Sequence, residues 1–325
     1  MKRSAAAVMI LALCLTLCSC RGKAAAMTVG DSKIEQAEYV FYLNYNRLKL
    51  FGECDSYTNA QLQSARQAAI VQIVTAQTVR EKCRELGIEP DDRQLAQAGS
   101  EKADLTASLG GKKGFEKYLK TSCLTERTYD KLSQNDLYYS LLLDHYTRQN
   151  EAKYTTEYLQ DYYADNYIWL KYIRLSLHTD TGERVSAKEE QKISGLADTV
   201  AQKAKNGSDF DELIWSYSDD SGVAGGSEGV IISRRAGESQ AYVQAAFEIA
   251  EGETSGVITQ SDGLYIVKRL NAPPEYLEPN LDGVKNDAAE SDFALQLAEW
   301  TAQAQVELKK SVDKITFGNM HKYVK

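Results

Sequence analysis

The chain has 325 residues, a net charge of -8, 43% apolar and 26% charged residues, enough for about two or three domains with buried cores. It holds no cluster of Lys and Arg, which excludes nucleic acid as a partner, because phosphate binding needs basic side chains gathered on one face. Its three histidines, His145, His178 and His321, are far apart and no cysteine stands at metal-ligand spacing, so no metal or other cofactor is expected.

Lys2 and Arg3 precede an apolar run, Ala5 to Leu17, that is too short to span a bilayer. This charged-then-apolar layout reads as a secretion signal over residues 1–19. The run ends in Leu17-Cys18-Ser19-Cys20, which resembles the bacterial lipobox. The resemblance implies diacylglyceryl transfer to Cys20, cleavage before it and a stable membrane tether, since two acyl chains hold where one is marginal. The alternative is an ordinary signal cut after Ala24-Ala25-Ala26. Losing residues 1–19 removes Lys2 and Arg3 and moves the net charge from -8 to -10. Beside Cys20, Cys54, Cys83 and Cys123 remain; either two of them form one disulfide or all three are apolar fillers on helices.

From residue 20 to 166 the pattern is helical after a short strand and turn at Met27–Ile34. A helix over 36–51 stops at Gly52. The next starts with Asn59 as its cap and carries an apolar stripe of Ala69, Ile70, Ile73, Ala76, Val79, Cys83 and Leu86. Closed by Gly87, it spans roughly 28 residues, about 42 Å of rod. Helices follow at 91–109, 113–121, 124–150 and 155–166. Tyrosine is heavily used, 20 in all, as a rigid apolar face with a polar tip.

From Trp169 the period changes. Ile173, Leu175 and Leu177 alternate with Tyr172, Arg174 and Ser176, which is strand spacing. Capping boxes Ser186/Glu189 and Ser208/Asp211 open two helices. A Gly-rich loop over 222–229, a helix over 241–250, and a hairpin turning at Ser261-Asp262-Gly263 complete a β-α-α-β-α-β-β order. Pro273, Pro274 and Pro279 mark a linker, and a last helix over 286–310 is expected to pack on the N-terminal helices. The fold class is α+β: a helical domain at 20–166, an inserted domain at 167–272, and linker plus helix at 273–325.

Six segments stand out in order along the chain: Asp209-Phe210, Tyr217 to Ser221, Gly225 to Gly229, Tyr242 to Phe247, Gly252 to Val257 and Gly263 to Ile266. Together they resemble the parvulin (rotamase) family. Val29-Gly30 to Tyr39 resembles the start of the helical chaperone domain of the PrsA and SurA folding factors. The resemblance implies an extracytoplasmic folding factor acting on Xaa-Pro bonds of unfolded or partly folded exported proteins. Rotating such an amide breaks its resonance against a barrier of roughly 18–20 kcal/mol. A site helps by gripping the proline ring and favouring the twisted amide with polar groups.

Carried over by the resemblance, Asp220 stands at the family's Cys/Asp position. Tyr242 and Phe247 stand at aromatic pocket positions. Tyr172 and Tyr265 stand where the family keeps two histidines, and share one sheet face as a hydrogen-bonded tyrosine pair. Glu238 falls where a pocket methionine is expected, and Glu228 where an apolar wall residue is usual. Carboxylates beside a proline slot weaken apolar gripping. Two readings therefore stay open: a weak isomerase using Asp220, Tyr172 and Tyr265, or a non-catalytic holding chaperone that keeps the fold as a peptide-binding module.

Overall fold

The computed structural model describes residues 24–220 and 228–324. Cys20, the signal segment and most of the Gly-rich loop lie outside the described residues. Among the described residues no helix is long and apolar enough to cross a membrane. The chain forms two compact units, one up to His145 together with the chain from Gln296, the other Tyr146–Leu295.

The first unit opens with the hairpin β1 (Ala25–Val29) and β2 (Ser32–Glu35), then α1 (Gln36–Phe51) and α2 (Asn59–Leu86). Its core gathers Met27, Val29, Ile34, Tyr39, Leu43, Ile73 and, from the far end of the sequence, Val312, Ile315 and Met320. Helix α2 has the expected 28 residues, but its cap is Thr58 rather than Asn59. Thr58 and Gln61 satisfy each other's backbone N–H groups, a reciprocal pair that Asn59 lacks. α3 (Asp92–Ser108) and α4 (Lys112–Thr121) follow, and the expected helix over 124–150 is two, α5 (Glu126–Ser133) and α6 (Asn135–Gln149). The chain's tail adds β7 (Val306–Leu308) to β1. Arg66 fastens that tail, donating to the carbonyls of Val312, Asp313 and Ile315 at 2.7–3.2 Å. Cys54, Cys83 and Cys123 are all unpaired; Cys83 and Cys123 are buried.

In the second unit, α7 (Thr156–Asn166) runs without a loop into β3 (Tyr167–Ser176). α8 (Ala187–Lys205), α9 (Phe210–Tyr217), β4 (Val230–Ser233), α10 (Ala241–Glu248), β5 (Ile258–Gln260) and β6 (Gly263–Leu270) follow. The four strands form one antiparallel sheet in the order β4-β3-β6-β5. Strand alternation sends Ile173 and Ile266 to the side covered by α8 and α9. It sends Ile168, Leu170, Tyr172, Tyr265 and Val267 to the side covered by α10.

Two details differ from the sequence reading. α9 is capped by Asp209, not Ser208: its Oδ1 accepts from the N–H groups of Asp211 and Glu212 at 2.8 and 3.1 Å. The Asp211 carboxylate instead receives Lys171 Nζ at 2.7 Å, so it cannot close a box with Ser208. The last helix, α11 (Leu281–Ala302), begins earlier and ends earlier than 286–310. Its first half packs Val284, Ala288 and Ala289 with Leu159 and Tyr163 of α7, while its last turns, from Gln296, group with the N-terminal unit, where Lys82 of α2 lies 5.5 Å from the Trp300 ring. Tyr158 and Lys153 both reach Asp292, and Tyr162 hydrogen-bonds Ser291. These contacts use the tyrosine-rich stripe of α7, which leaves the chain beyond β7 to fill the N-terminal core.

Candidate functional site

On the α10 side of the sheet, three tyrosines meet. Tyr172 sits on β3, and Tyr265 on β6 lies diagonally across from it, because Arg174 is its direct partner in the ladder. Tyr242 comes down from the first turn of α10. Its ring stacks on Tyr265, with centroids 4.5 Å apart and planes 4° from parallel. Tyr172 lies 5.1 Å from Tyr242 and 5.6 Å from Tyr265. All three side chains are buried, at 4–8% exposure.

The expected hydrogen bond between Tyr172 and Tyr265 is not formed. Each hydroxyl donates to its own carboxylate: Tyr172 to Asp220 Oδ2 at 2.9 Å, and Tyr265 to Asp262 Oδ2 at 2.8 Å. An ionised carboxylate is a stronger acceptor than another phenol. Arg174 projects on the same face, with Nη1 4.0 Å from Asp220 and 3.9 Å from Asp262. The floor is thus a stacked pair, Tyr242 and Tyr265, with Tyr172 tilted against both, bracketed by two carboxylates with one guanidinium between them.

Local structure holds both carboxylates in place. The segment after α9 is stitched to β3: Asp219 N–H donates to Arg174 O at 2.8 Å, and Ser176 N–H donates to Asp219 Oδ2 at 2.8 Å. Ser218 Oγ accepts from the N–H groups of Arg174 and Asp220. Asp219 therefore serves the backbone, which leaves Asp220 for the tyrosine. On the other side, Gln260 donates to Asp262 Oδ1 and accepts the N–H of Ala241 at 2.9 Å. That amide joins the Asp262 turn to the first turn of α10 and fixes where Tyr242 enters.

The hydroxyls are kept protonated. Burial, then the neighbouring carboxylate, pushes the pKa of Tyr172 and Tyr265 upward. Burial, then Asp220 and Asp262, does the same to Tyr242, whose hydroxyl has no hydrogen-bond partner among the described residues. Burial alone would raise Asp262, but bonds from Tyr265, its own N–H and Gln260, with Arg174 nearby, together hold it below the usual carboxylate range.

The structure thus brings Asp220, Tyr172, Tyr265 and Tyr242 together. Phe247 belongs to the same apolar cluster but sits at the other end of α10, under the Arg234 guanidinium at 3.9 Å. Glu238 and Glu228 are both exposed, so neither plugs a buried slot. Sequence reasoning missed Arg174, Asp262 and Gln260. Arg174 was findable, since it shares the face of Tyr172 by alternation; Asp262 was hidden by its reading as a turn residue.

Residues 164–272 match the family described as the PPIC-type PPIASE domain. The second unit therefore carries a parvulin-type domain. No curated protein sequence matches the chain significantly. Among solved structures it is similar to the foldase protein PrsA from Streptococcus pneumoniae, at 17% identity over 79% of this chain and 89% of that one, TM-score 0.37. It is similar to PrsA from Bacillus subtilis, at 19% identity over 82% and 98%, TM-score 0.28. A third likeness is to a SurA-like chaperone of Campylobacter jejuni, at 12% identity over 89% and 100%, TM-score 0.33. The domain assignment rests on the family match, not on these superpositions.

Proposed function

We propose that the chain is an exported folding helper, tethered through Cys20, whose parvulin-type domain weakly accelerates rotation about Xaa-Pro bonds of unfolded or partly folded clients. The observation that carries this reading is the stacked tyrosine floor with both ring hydroxyls held by Asp220 and Asp262. In it, Tyr172 and Tyr265 stand where parvulins keep histidines. Amide rotation makes and breaks no covalent σ bond, so a proton-transfer group is dispensable. What the site must do is favour the twisted amide, whose nitrogen regains a lone pair. The aromatic floor is rigid and nearly buried, so it is its solvent-facing edge that meets a prolyl ring. The Tyr242 hydroxyl, neutral and unengaged, is the donor available to the twisted amide. Two nearby carboxylates weaken apolar gripping, which is why the activity is expected to be weak.

The holding-chaperone reading draws on a specific feature of the same site: the hydroxyls of Tyr172 and Tyr265 are already committed to carboxylates. The two readings separate in a protease-free exchange assay on an Xaa-Pro peptide. Isomerisation faster than buffer, reduced at least threefold by Asp220→Ala, is expected. A rate equal to buffer for the native chain and for Asp220→Ala would leave only the holding role, to be checked by suppression of client aggregation. The tether has its own test: incorporation of labelled palmitate in a bacterial host, abolished by Cys20→Ala.

A further inference from the structure

The rim of the tyrosine floor carries an imbalance of charge. Asp220 and Asp262 bracket the rings, with side chains 26% and 41% exposed. Asp219, also exposed, adds a third carboxylate beside β3, where it accepts the N–H of Ser176. Against these stands Arg174, whose Nη1 is 4.0 and 3.9 Å from Asp220 and Asp262, too far for a hydrogen bond to either. Three carboxylates against one guanidinium leave two negative charges. Arg184, which donates to the carbonyl of Ser261, does not redress this, because Glu190 pairs with it at 3.0 Å. Residues 221–227 add no charged side chain to the sequence, and Glu228 after them is a further acid.

A nearly buried donor marks where an occupant of this rim sits. Tyr242 is 8% exposed. Its hydroxyl has no hydrogen-bond partner among the described residues, is not sealed from solvent, and lies in the field of both Asp220 and Asp262. A donor left unpaired on a nearly buried ring calls for an acceptor from outside, and a peptide carbonyl is one. An extended chain advances only about 3.3 Å per residue. The residues flanking a carbonyl held there therefore stand within the Debye length of the rim charges, about 8 Å at 0.15 M salt.

We propose that this rim makes the site selective for Xaa-Pro segments in which a Lys or Arg flanks the proline, with Asp262 strengthening the preference and Arg174 restraining it. A cationic side chain meets the uncompensated carboxylates, an acidic one is repelled, and a neutral one falls between. The inference rests on the reading that the floor receives an Xaa-Pro segment, but not on rotation being accelerated there.

The test is titration of the full chain with three peptides: acetyl-Ala-Lys-Pro-Lys-Ala-amide, and the same peptide with Ala or with Glu at both Lys positions. Exchange NMR returns an affinity and an isomerisation rate from the same samples. The expected result is that the Lys peptide binds at least tenfold tighter than the Glu peptide, with the Ala peptide between. That preference should fall below threefold in about 1 M NaCl, where the Debye length shrinks to about 3 Å. Asp262→Asn keeps an acceptor for Tyr265 and should cut the preference at least threefold, while Arg174→Gln should raise it at least twofold. Glu212→Gln is the control: it lies exposed on α9, which covers the opposite side of the sheet, and should leave the preference unchanged. Equal affinity for the three peptides, or tighter binding of the Glu peptide, overturns the proposal. So does a preference that Asp262→Asn and Glu212→Gln lower equally, since it then belongs to the acidic chain as a whole. The salt series uses the native chain alone, so a variant that fails to fold, which circular dichroism checks, does not remove the test. A rate above buffer without charge preference overturns this inference and leaves the isomerase reading intact. Charge-selective binding with a rate equal to buffer does the reverse, and no binding of any peptide overturns both.

Discussion

Gly229 sets the entry to β4, and substituting it tests the account of how that strand is placed. Its φ is +86°, and an added Cβ would stand 2.6 Å from Trp169 Nε1 and 2.8 Å from the carbonyl oxygen of Leu170. Left-handed backbone costs an L-residue about 1–2 kcal/mol. The second term is steric. Leu170 is paired on both sides, to Val230 and to Arg269, so its carbonyl cannot give way, and overpacking of this kind costs about 1–3 kcal/mol. Gly229→Ala should therefore lose about 2–5 kcal/mol. Gly207 is the control: its φ is +89°, yet nothing lies within 4 Å of the added Cβ, so Gly207→Ala should lose only the backbone share. The assay is thermal unfolding of both variants followed by tryptophan fluorescence. At about 2–4 °C of Tm per kcal/mol for a unit of this size, the two should differ by several degrees. Equal losses would refute the steric half of the reasoning.

Two further outcomes are expected. Arg235→Ala should cost about 2–3 kcal/mol, because it leaves the buried carboxylate of Asp287 without its partner. Lys192→Ala, which breaks an exposed pair with Glu189, should cost under about 0.5 kcal/mol; equal Tm shifts would refute the distinction. Asp262 keeps its charge to lower pH in the folded chain than the ordinary value of about 3.9. Its contribution is thus complete above that value and lost as pH falls through the lower folded one. Asp262→Asn should flatten the decline of Tm below about pH 4, and curves that stay parallel to the native one would contradict the assignment.

The sheet and the face of each strand residue were legible because alternation in Ile173, Leu175 and Leu177 is a local signal. Tyr172 and Tyr265 share a face for the same reason. What alternation could not say is where a hydroxyl points. That depends on the loop holding Asp220, whose position comes from Ser218 and Asp219 bonding to β3. The shift of the α9 cap by one residue has a similar origin: Lys171, forty positions earlier, claims the Asp211 carboxylate. That the first half of α11 packs on α7 was not legible, because its small buried residues, Ala288 and Ala289, sit among the α7 tyrosines, and packing between distant segments leaves no periodic trace in either one.

The direct passage from α7 into β3 makes the two seams of the parvulin-type domain unequal. At the first, Tyr167 N–H still bonds Tyr163 O while Tyr167 already pairs with Ser233, so there is no slack to lengthen. At the second, the chain leaves β6 through short turns at Pro274–Tyr276 and Glu278–Asn280. Grafting the domain elsewhere, or exchanging it for another, would have to carry α7 along as a handle, with extra residues accommodated only on the exit side.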